Sequence, residues 1–207
     1  DSTEELNKKL TAISRWFKGK GTLIFNDMPF VKWNVRVMDS VSYTPEHDGR
    51  KAVLSVTYKA EPFSELIFDA LNGPCLDTYT TLDTEIPIGQ DEYLTLNGSG
   101  TYKNVPNVGD VHVKPIIMVT GATSPFTIGN NGKSITVNYT GDIVIDCEKE
   151  IVYSGNTSLM TDISGDFFEL VPGLDNTITV TGGGVVQINY TPKFLYDVDF
   201  DNMKWSE

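Results

Sequence analysis

The stretch Phe126-Thr127-Ile128-Gly129-Asn130-Asn131-Gly132-Lys133-Ser134-Ile135-Thr136-Val137 decides the fold. Phe126 and Ile128 alternate with polar Thr127, and Ile135 and Val137 alternate with Ser134 and Thr136. That period of two belongs to strands with one face buried. Asn131-Gly132 stands between the two runs, and Asn-Gly is the strongest short-range hairpin signal because both residues accept positive φ. Gly129 to Ser134 also has a superficial likeness to a phosphate loop. Its first glycine is two residues too close, and its flanks are strand-like, whereas a phosphate cradle needs a strand, a longer loop and a helix amino terminus. The segment reads as a hairpin.

Outward from this hairpin the same pattern continues. Residues 115–119, 143–145, 151–153, 177–181 and 185–190 are all β-like. With the two hairpin arms this makes seven short strands separated by turns, the signature of a β-sandwich. Before them, residues 71–112 are punctuated by Gly73-Pro74, Pro87, Gly89, Gly98, Gly100, Pro106 and Gly109. They read as loops and returning strands, with residues 93–96 as an edge strand and a hinge at 107–112. Nearer the amino terminus, Ser2 and Glu5 have capping-box spacing. Leu6, Leu10, Ile13 and Phe17 then share one helical face. Gly19 and Gly21 stop that helix. Val31, Trp33, Val35 and Val37 alternate with polar residues, as do Ala52, Leu54, Val56 and Tyr58 about a turn at 45–49. The expected fold is therefore mainly β with two domains. Residues 1–109 form an amino-terminal β domain with one packed α-helix, and residues 110–207 a carboxy-terminal β-sandwich.

Composition narrows the function. The chain has 207 residues, 40% hydrophobic and 21% charged, with a formal net charge of −12. That is a globular composition, and its acidity disfavours nucleic-acid binding, which depends on Lys and Arg neutralising phosphates. No run of roughly 18 apolar residues is present, so no membrane insertion is expected. No charged-then-apolar leader opens the chain, which begins at Asp1. Cys75 and Cys147 are too few for a disulfide framework and read as buried thiols. The sequons at Asn97, Asn138, Asn156 and Asn189 read as turn and strand chemistry.

A search for chemistry yields no catalytic, cofactor-binding or metal-binding residue. His47 and His112 lack metal-ligand spacing to Cys, His or carboxylates. Neither a G-x-S-x-G elbow nor an H-E-x-x-H helix occurs. Asp197, Asp199 and Asp201 resemble the start of a calcium loop, but Asn202 stands where glycine is required and flanking helices are missing. They read as a solvated acidic stretch. A glycosidase pair is defined by a distance in space that sequence does not give. Trp33, Tyr153 and Tyr190 are candidates for stacking on sugars, although strand aromatics more often serve the core.

Several fragments in order carry a resemblance. Asn107-Val108-Gly109 followed by Lys114-Pro115-Ile116-Ile117-Met118-Val119-Thr120-Gly121 resembles the "N-x-G … P-I-I-x-V-x-G" junction of phage distal tail proteins. Ile143-Val144-Ile145-Asp146-Cys147-Glu148 is similar to the family's "I-x-I-D-x-E", and Val152-Tyr153-Ser154-Gly155-Asn156 to its "V-Y-x-x-G-N". Gly165 to Gly173 resembles "G-x-F-P-x-L-x-P-G", with Phe168 where the family commonly has Pro. Asn176-Thr177-Ile178-Thr179-Val180 and Ile188-Asn189-Tyr190-Thr191-Pro192-Lys193-Phe194 complete the order. In the front half, Ile13-Ser14-Arg15-Trp16-Phe17, then Leu23-Ile24-Phe25-Asn26-Asp27, then Ala60-Glu61-Pro62-Phe63 resemble the path of the family's ring-forming domain.

The resemblance implies a non-enzymatic, cofactor-free structural subunit at the virion tail tip, made in the bacterial host cytoplasm. It implies a hexameric homo-oligomer whose ring joins the tail tube protein to baseplate or tail-fibre proteins. The carboxy-terminal domain would be a galectin-like or carbohydrate-module-like sandwich. Family members carry some tens of residues before the helix, so the resemblance also implies that the ring domain here lacks its first strands. The runner-up is a carbohydrate-binding module of a cell-surface or wall-degrading protein, because fold alone does not fix function. A glycosidase comes third.

Overall fold

The computed structural model describes residues 3–17, 19–26, 28–38, 42–46, 51–68 and 94–195. His47, Cys75, most of the expected loop region at 71–112, and Asp197, Asp199 and Asp201 lie outside the described residues. The chain packs as two units, Asp1–Ser64 and Glu65–Glu207.

The first unit opens on helix α1 (Thr3–Trp16). Glu4 pairs with Lys8 at 2.8 Å and Glu5 with Lys9 at 3.1 Å, one turn apart. Such i,i+4 pairs, acid in the first turn and Arg15 in the last, all favour this helix by a few tenths of a kcal/mol each. Strands β1 (Lys20–Phe25) and β2 (Met28–Val37) follow as an antiparallel hairpin. Strands β3 (Ser42–Glu46) and β4 (Lys51–Ser55) form a separate two-stranded ribbon. The alternation expected from Ala52 to Tyr58 breaks after Ser55, and β5 (Tyr58–Leu66) starts anew beside β2. Val31 and Val35 are buried on β2, while Trp33 and Val37 are half-buried. The helix is where the apolar spacing puts it, yet Leu6, Leu10, Ile13 and Phe17 are only half-buried.

The second unit holds β6 (Thr95–Asn97), β7 (Gly100–Asn107), β8 (Ile116–Ala122), β9 (Phe126–Asn130), β10 (Lys133–Val137) and β11 (Gly141–Asp146). It continues through β12 (Ile151–Ser154), β13 (Thr157–Ser158), β14 (Ile163–Gly165), β15 (Gly173–Thr181), β16 (Val185–Asn189) and β17 (Lys193–Leu195). A five-stranded antiparallel sheet runs β14-β10-β9-β15-β7, and a six-stranded one runs β13-β12-β11-β8-β16-β6. All seven strands expected between 115 and 190 are present.

The Asn131-Gly132 hairpin is the β9–β10 turn. Asn130 pairs with Lys133, and Asn131 and Gly132 take φ of 49° and 88°, the positive values a two-residue turn of this kind requires. Register places Ile135 beside Ile128 and Val137 beside Phe126 on one sheet, and Ile145 and Ile188 beside Ile117 on the other. These side chains are fully buried in one continuous core with Val105, Phe168, Leu170 and Tyr190. Alternate residues of each strand meet across the two sheets, and excluding water from that apolar surface drives the assembly.

The sandwich takes more chain than the expected division at 109/110. Strands β6 and β7 pair into its two sheets, and Leu94, Leu96 and Val105 are buried in its core. Gly100 and Pro106 concealed β7 because proline reads against a strand. An edge strand tolerates it, since a missing N–H can face away from the ladder.

Candidate functional site

Residues 107–112, expected to be a hinge, are bonded on several sides. Asn107 donates its amide to the carbonyls of Val111 at 3.0 Å and Leu170 at 3.1 Å, and its Oδ1 accepts the Gly109 N–H. The Asp110 N–H donates to the Lys193 carbonyl at 2.9 Å, and the Leu195 N–H to the Asp110 carboxylate at 3.2 Å. Val113 and Leu170 exchange backbone hydrogen bonds. Gly109 lies so close to Lys193 that a Cβ would stand 2.6 Å from the Lys193 carbonyl oxygen.

Two more buried asparagines extend this clamp. The Asn176 amide donates to the carbonyls of Val105 and Val171, while its Oδ1 accepts the Val171 N–H and an Asn130 amide proton. Asn130 also donates to the Glu169 carbonyl and accepts the Thr177 N–H. The effect is to fix residues 169–171 and β7 onto the five-stranded sheet. Buried amides cost several kcal/mol unless satisfied, and these three are satisfied throughout. The fragments around Asn107, Gly165 to Gly173 and Asn176 thus act as structure.

Other singled-out residues divide similarly. Tyr190 is buried, and its hydroxyl donates to the Pro106 carbonyl at 2.8 Å. Burial holds that hydroxyl above the ordinary phenol range. Burial likewise pushes the Cys147 thiol up to about 11, so it stays protonated near neutrality. The motif carboxylate of Asp146 caps the turn after β11. It accepts the Glu148 and Lys149 N–H groups, and the Lys149 ammonium lies 2.7 Å from its Oδ2. Burial opposes its ionisation, but the Lys149 hydrogen bonds and charge and the Glu148 N–H outweigh it. Its carboxyl is held below the ordinary 3.8. His112 is exposed, 3.5 Å from Glu169. Both line a charged cleft of about 440 Å³ with Glu65, Lys114, Glu148 and Lys193. Among the described residues no group of three or more His, Cys, Asp or Glu side chains converges as a metal site. No described helix is long and apolar enough to cross a membrane.

Of the aromatics proposed to stack on sugars, Tyr190 is inside the core. Trp33 has Phe25 edge-on at 5.2 Å, and Tyr153 is half-buried on β12. With Tyr190 inside the core, the carbohydrate-module alternative is not favoured.

The surface with the plainest unmet requirement is on the first unit. Trp16 is 81% exposed, and Ile24, Phe25, Met38, Val53 and Tyr58 are also exposed. On the same unit a groove of about 650 Å³ crosses β1, β2 and β5, lined by Lys20, Thr22, Asn34, Arg36, Lys59 and Glu61 with Val35 and Ala60. Large apolar side chains left exposed on a small unit are candidates for an interaction surface.

No curated protein matches this chain. Residues 108–194 match the family described as siphovirus-type tail component, C-terminal domain. Among solved structures, the crystal structure of the SPP1 Dit protein matches with a TM-score of 0.63 at 18% identity, covering 94% of this chain and 74% of that one. Its description calls that protein a paradigm of the hub adsorption apparatus in phages infecting Gram-positive hosts. Residues 108–194 are thus similar to the C-terminal domain of siphovirus-type tail components, and the chain as a whole has the fold of the SPP1 Dit protein.

Proposed function

We propose that this chain is a non-enzymatic structural subunit of a phage tail tip. It assembles with copies of itself into a hexameric ring that links the tail tube to the baseplate or fibre. The first unit makes the ring contacts and the sandwich carries neighbouring tail proteins. The observation that carries this reading is the set of exposed apolar residues on the first unit, Trp16, Ile24, Phe25, Met38, Val53 and Tyr58, on a chain with the hub fold. A cyclic ring repeats one heterologous contact until it closes, and apolar side chains left bare on each copy suit such a contact. The match of residues 108–194 to a tail-component domain supports the coarser role independently of ring size.

The test is the mass of the full-length protein by light scattering across a concentration series. A species of about six subunits is expected, and Trp16→Ser with Phe25→Ser should shift it towards monomer. A strict monomer at the highest concentration would sink the ring.

A further inference from the structure

The charge of this chain is unevenly divided. Residues 1–64 hold ten Lys and Arg against eight Asp and Glu, a balance of +2. Residues 65–207 hold six against twenty, a balance of −14. Within the basic unit the groove concentrates three cations. Lys20 stands directly opposite Arg36 in the β1–β2 register. The Met38 N–H to Thr57 carbonyl bond and the Asn34–Glu61 hydrogen bond bracket Arg36 and Lys59, setting these two side by side on β2 and β5. Lys20, Arg36 and Lys59 therefore form one row across three strands, exposed, lining one groove. None of the three has an ion-pair partner among the described residues.

Like charges placed directly across a sheet are destabilising. A row of three is an arrangement that an anion relieves. Adjacent strands are about 4.8 Å apart, so the row spans about 10 Å. The anion must come in a narrow form, because Glu61 borders the row and the groove is small. A duplex about 20 Å across, with phosphates along its whole length, would meet Glu61 as well as the cations.

One stretch of this chain has the complementary chemistry. Tyr196-Asp197-Val198-Asp199-Phe200-Asp201 alternates carboxylates with apolar residues. Laid out as an extended strand, three alternate carboxylates span about 13 Å on one side. They match the cation row, and the apolar set is left to cover exposed neighbours. We propose that the groove at Lys20, Arg36 and Lys59 is a docking site for residues 196–201 of a second copy, which supplies a charge-steered contact between subunits. The proposal rests on the assembly reading only in requiring a second copy within reach.

The test uses the full chain carrying Asp197→Asn, Asp199→Asn and Asp201→Asn, so that its own segment does not compete. A fluorescent synthetic peptide of residues 195–203 is titrated in by anisotropy. Saturable binding is expected, weakened at least ten-fold by Arg36→Glu and again by raising salt from 50 to 300 mM, as for exposed charge pairs. Circular dichroism checks that Arg36→Glu leaves the fold intact, and Lys59→Glu serves as a second reversal. No peptide binding, or binding indifferent to both reversals, overturns the proposal. So does a short DNA duplex that binds the groove and displaces the peptide. Peptide binding by a chain that stays monomeric would sink the ring and leave the docking site standing. A six-subunit ring that persists unchanged in all the variants, without peptide binding, would do the reverse.

Discussion

At the scale of single residues, the sandwich depends on a few polar side chains with no freedom to move. Asn176 is fully buried and makes four hydrogen bonds. Replacing it with Ala strands the Val105 and Val171 carbonyls, the Val171 N–H and one Asn130 donor. Each unsatisfied buried group costs about 1–3 kcal/mol, partly relieved by relaxation. Asn176→Ala should therefore lower stability by about 3 kcal/mol, read as a fall in the urea midpoint. Asp146 gives a pH dependence. Its folded pKa lies below 3.8, so its contribution is complete above the unfolded value and is lost as pH falls through the lower folded one. Compared with Asp146→Asn, the native protein should be more stable by about 1 kcal/mol at pH 7, a modest figure because Lys149 lies largely in solvent. That margin should shrink as pH falls from the unfolded value through the lower folded one. A margin independent of pH would show that the carboxylate charge has no part in the cap. Asn107 and Asn176 stand in the resemblance fragments, but nothing in the sequence gives any of the three asparagines its role in the clamp. Asn131, one residue from Asn130, is exposed at a turn, and what separates them is partners 39, 46 and 47 residues away. Sequence spacing carries no record of such distant contacts.

At the scale of elements, alternation was legible wherever a strand lies inside a sheet with one face buried. That covers the seven strands between 115 and 190 and the Asn131-Gly132 turn. It was faint at the margins. Strands β13 and β14 have two and three residues, too short for any period. Strand β7 is irregular, with register shifts against β15 and a positive φ at Asn104. These facts bear on where the sandwich can be cut. A fragment of residues 94–195 keeps both flanking strands and should melt cooperatively. A fragment starting at residue 110 loses Leu94, Leu96 and Val105 from the core and three partners from the clamp. It should melt broadly or at least 10 °C lower, since each kcal/mol lost is worth roughly 4–8 °C in a domain of this size. Equal melting of the two fragments would show that β6 and β7 are accessory to the fold.

At the scale of the whole molecule, the two units differ in what holds them. The second has a continuous core of buried side chains from two sheets, whereas Val31 and Val35 are the apolar residues buried on β2 of the first. Small cores are marginal without help. Calorimetry of dilute protein should show the first unit unfolding at a lower temperature than the second. That earlier transition should move upward with protein concentration, because association stabilises what it covers. One concentration-independent transition would count against a first unit completed by its neighbours. The charge division adds to this asymmetry. The net acidity read from the sequence belongs to the second unit, so an acidic surface cannot be assigned to the first from the sum alone.

The clamp around residues 107–110 also sets how the sandwich would respond to a pull. The segment that follows β7 at Pro106 and the last described strand, ending at Leu195, are fastened directly to each other. The Tyr190 hydroxyl holds the Pro106 carbonyl, the Asp110 N–H holds the Lys193 carbonyl, and the Asp110 carboxylate holds the Leu195 N–H. A pull on the chain at Leu195 is passed across this short seam to the segment after β7 before it reaches β16. The seam must give before that pull reaches β16, so the outer loops of the sandwich can vary without changing how force from this side enters it.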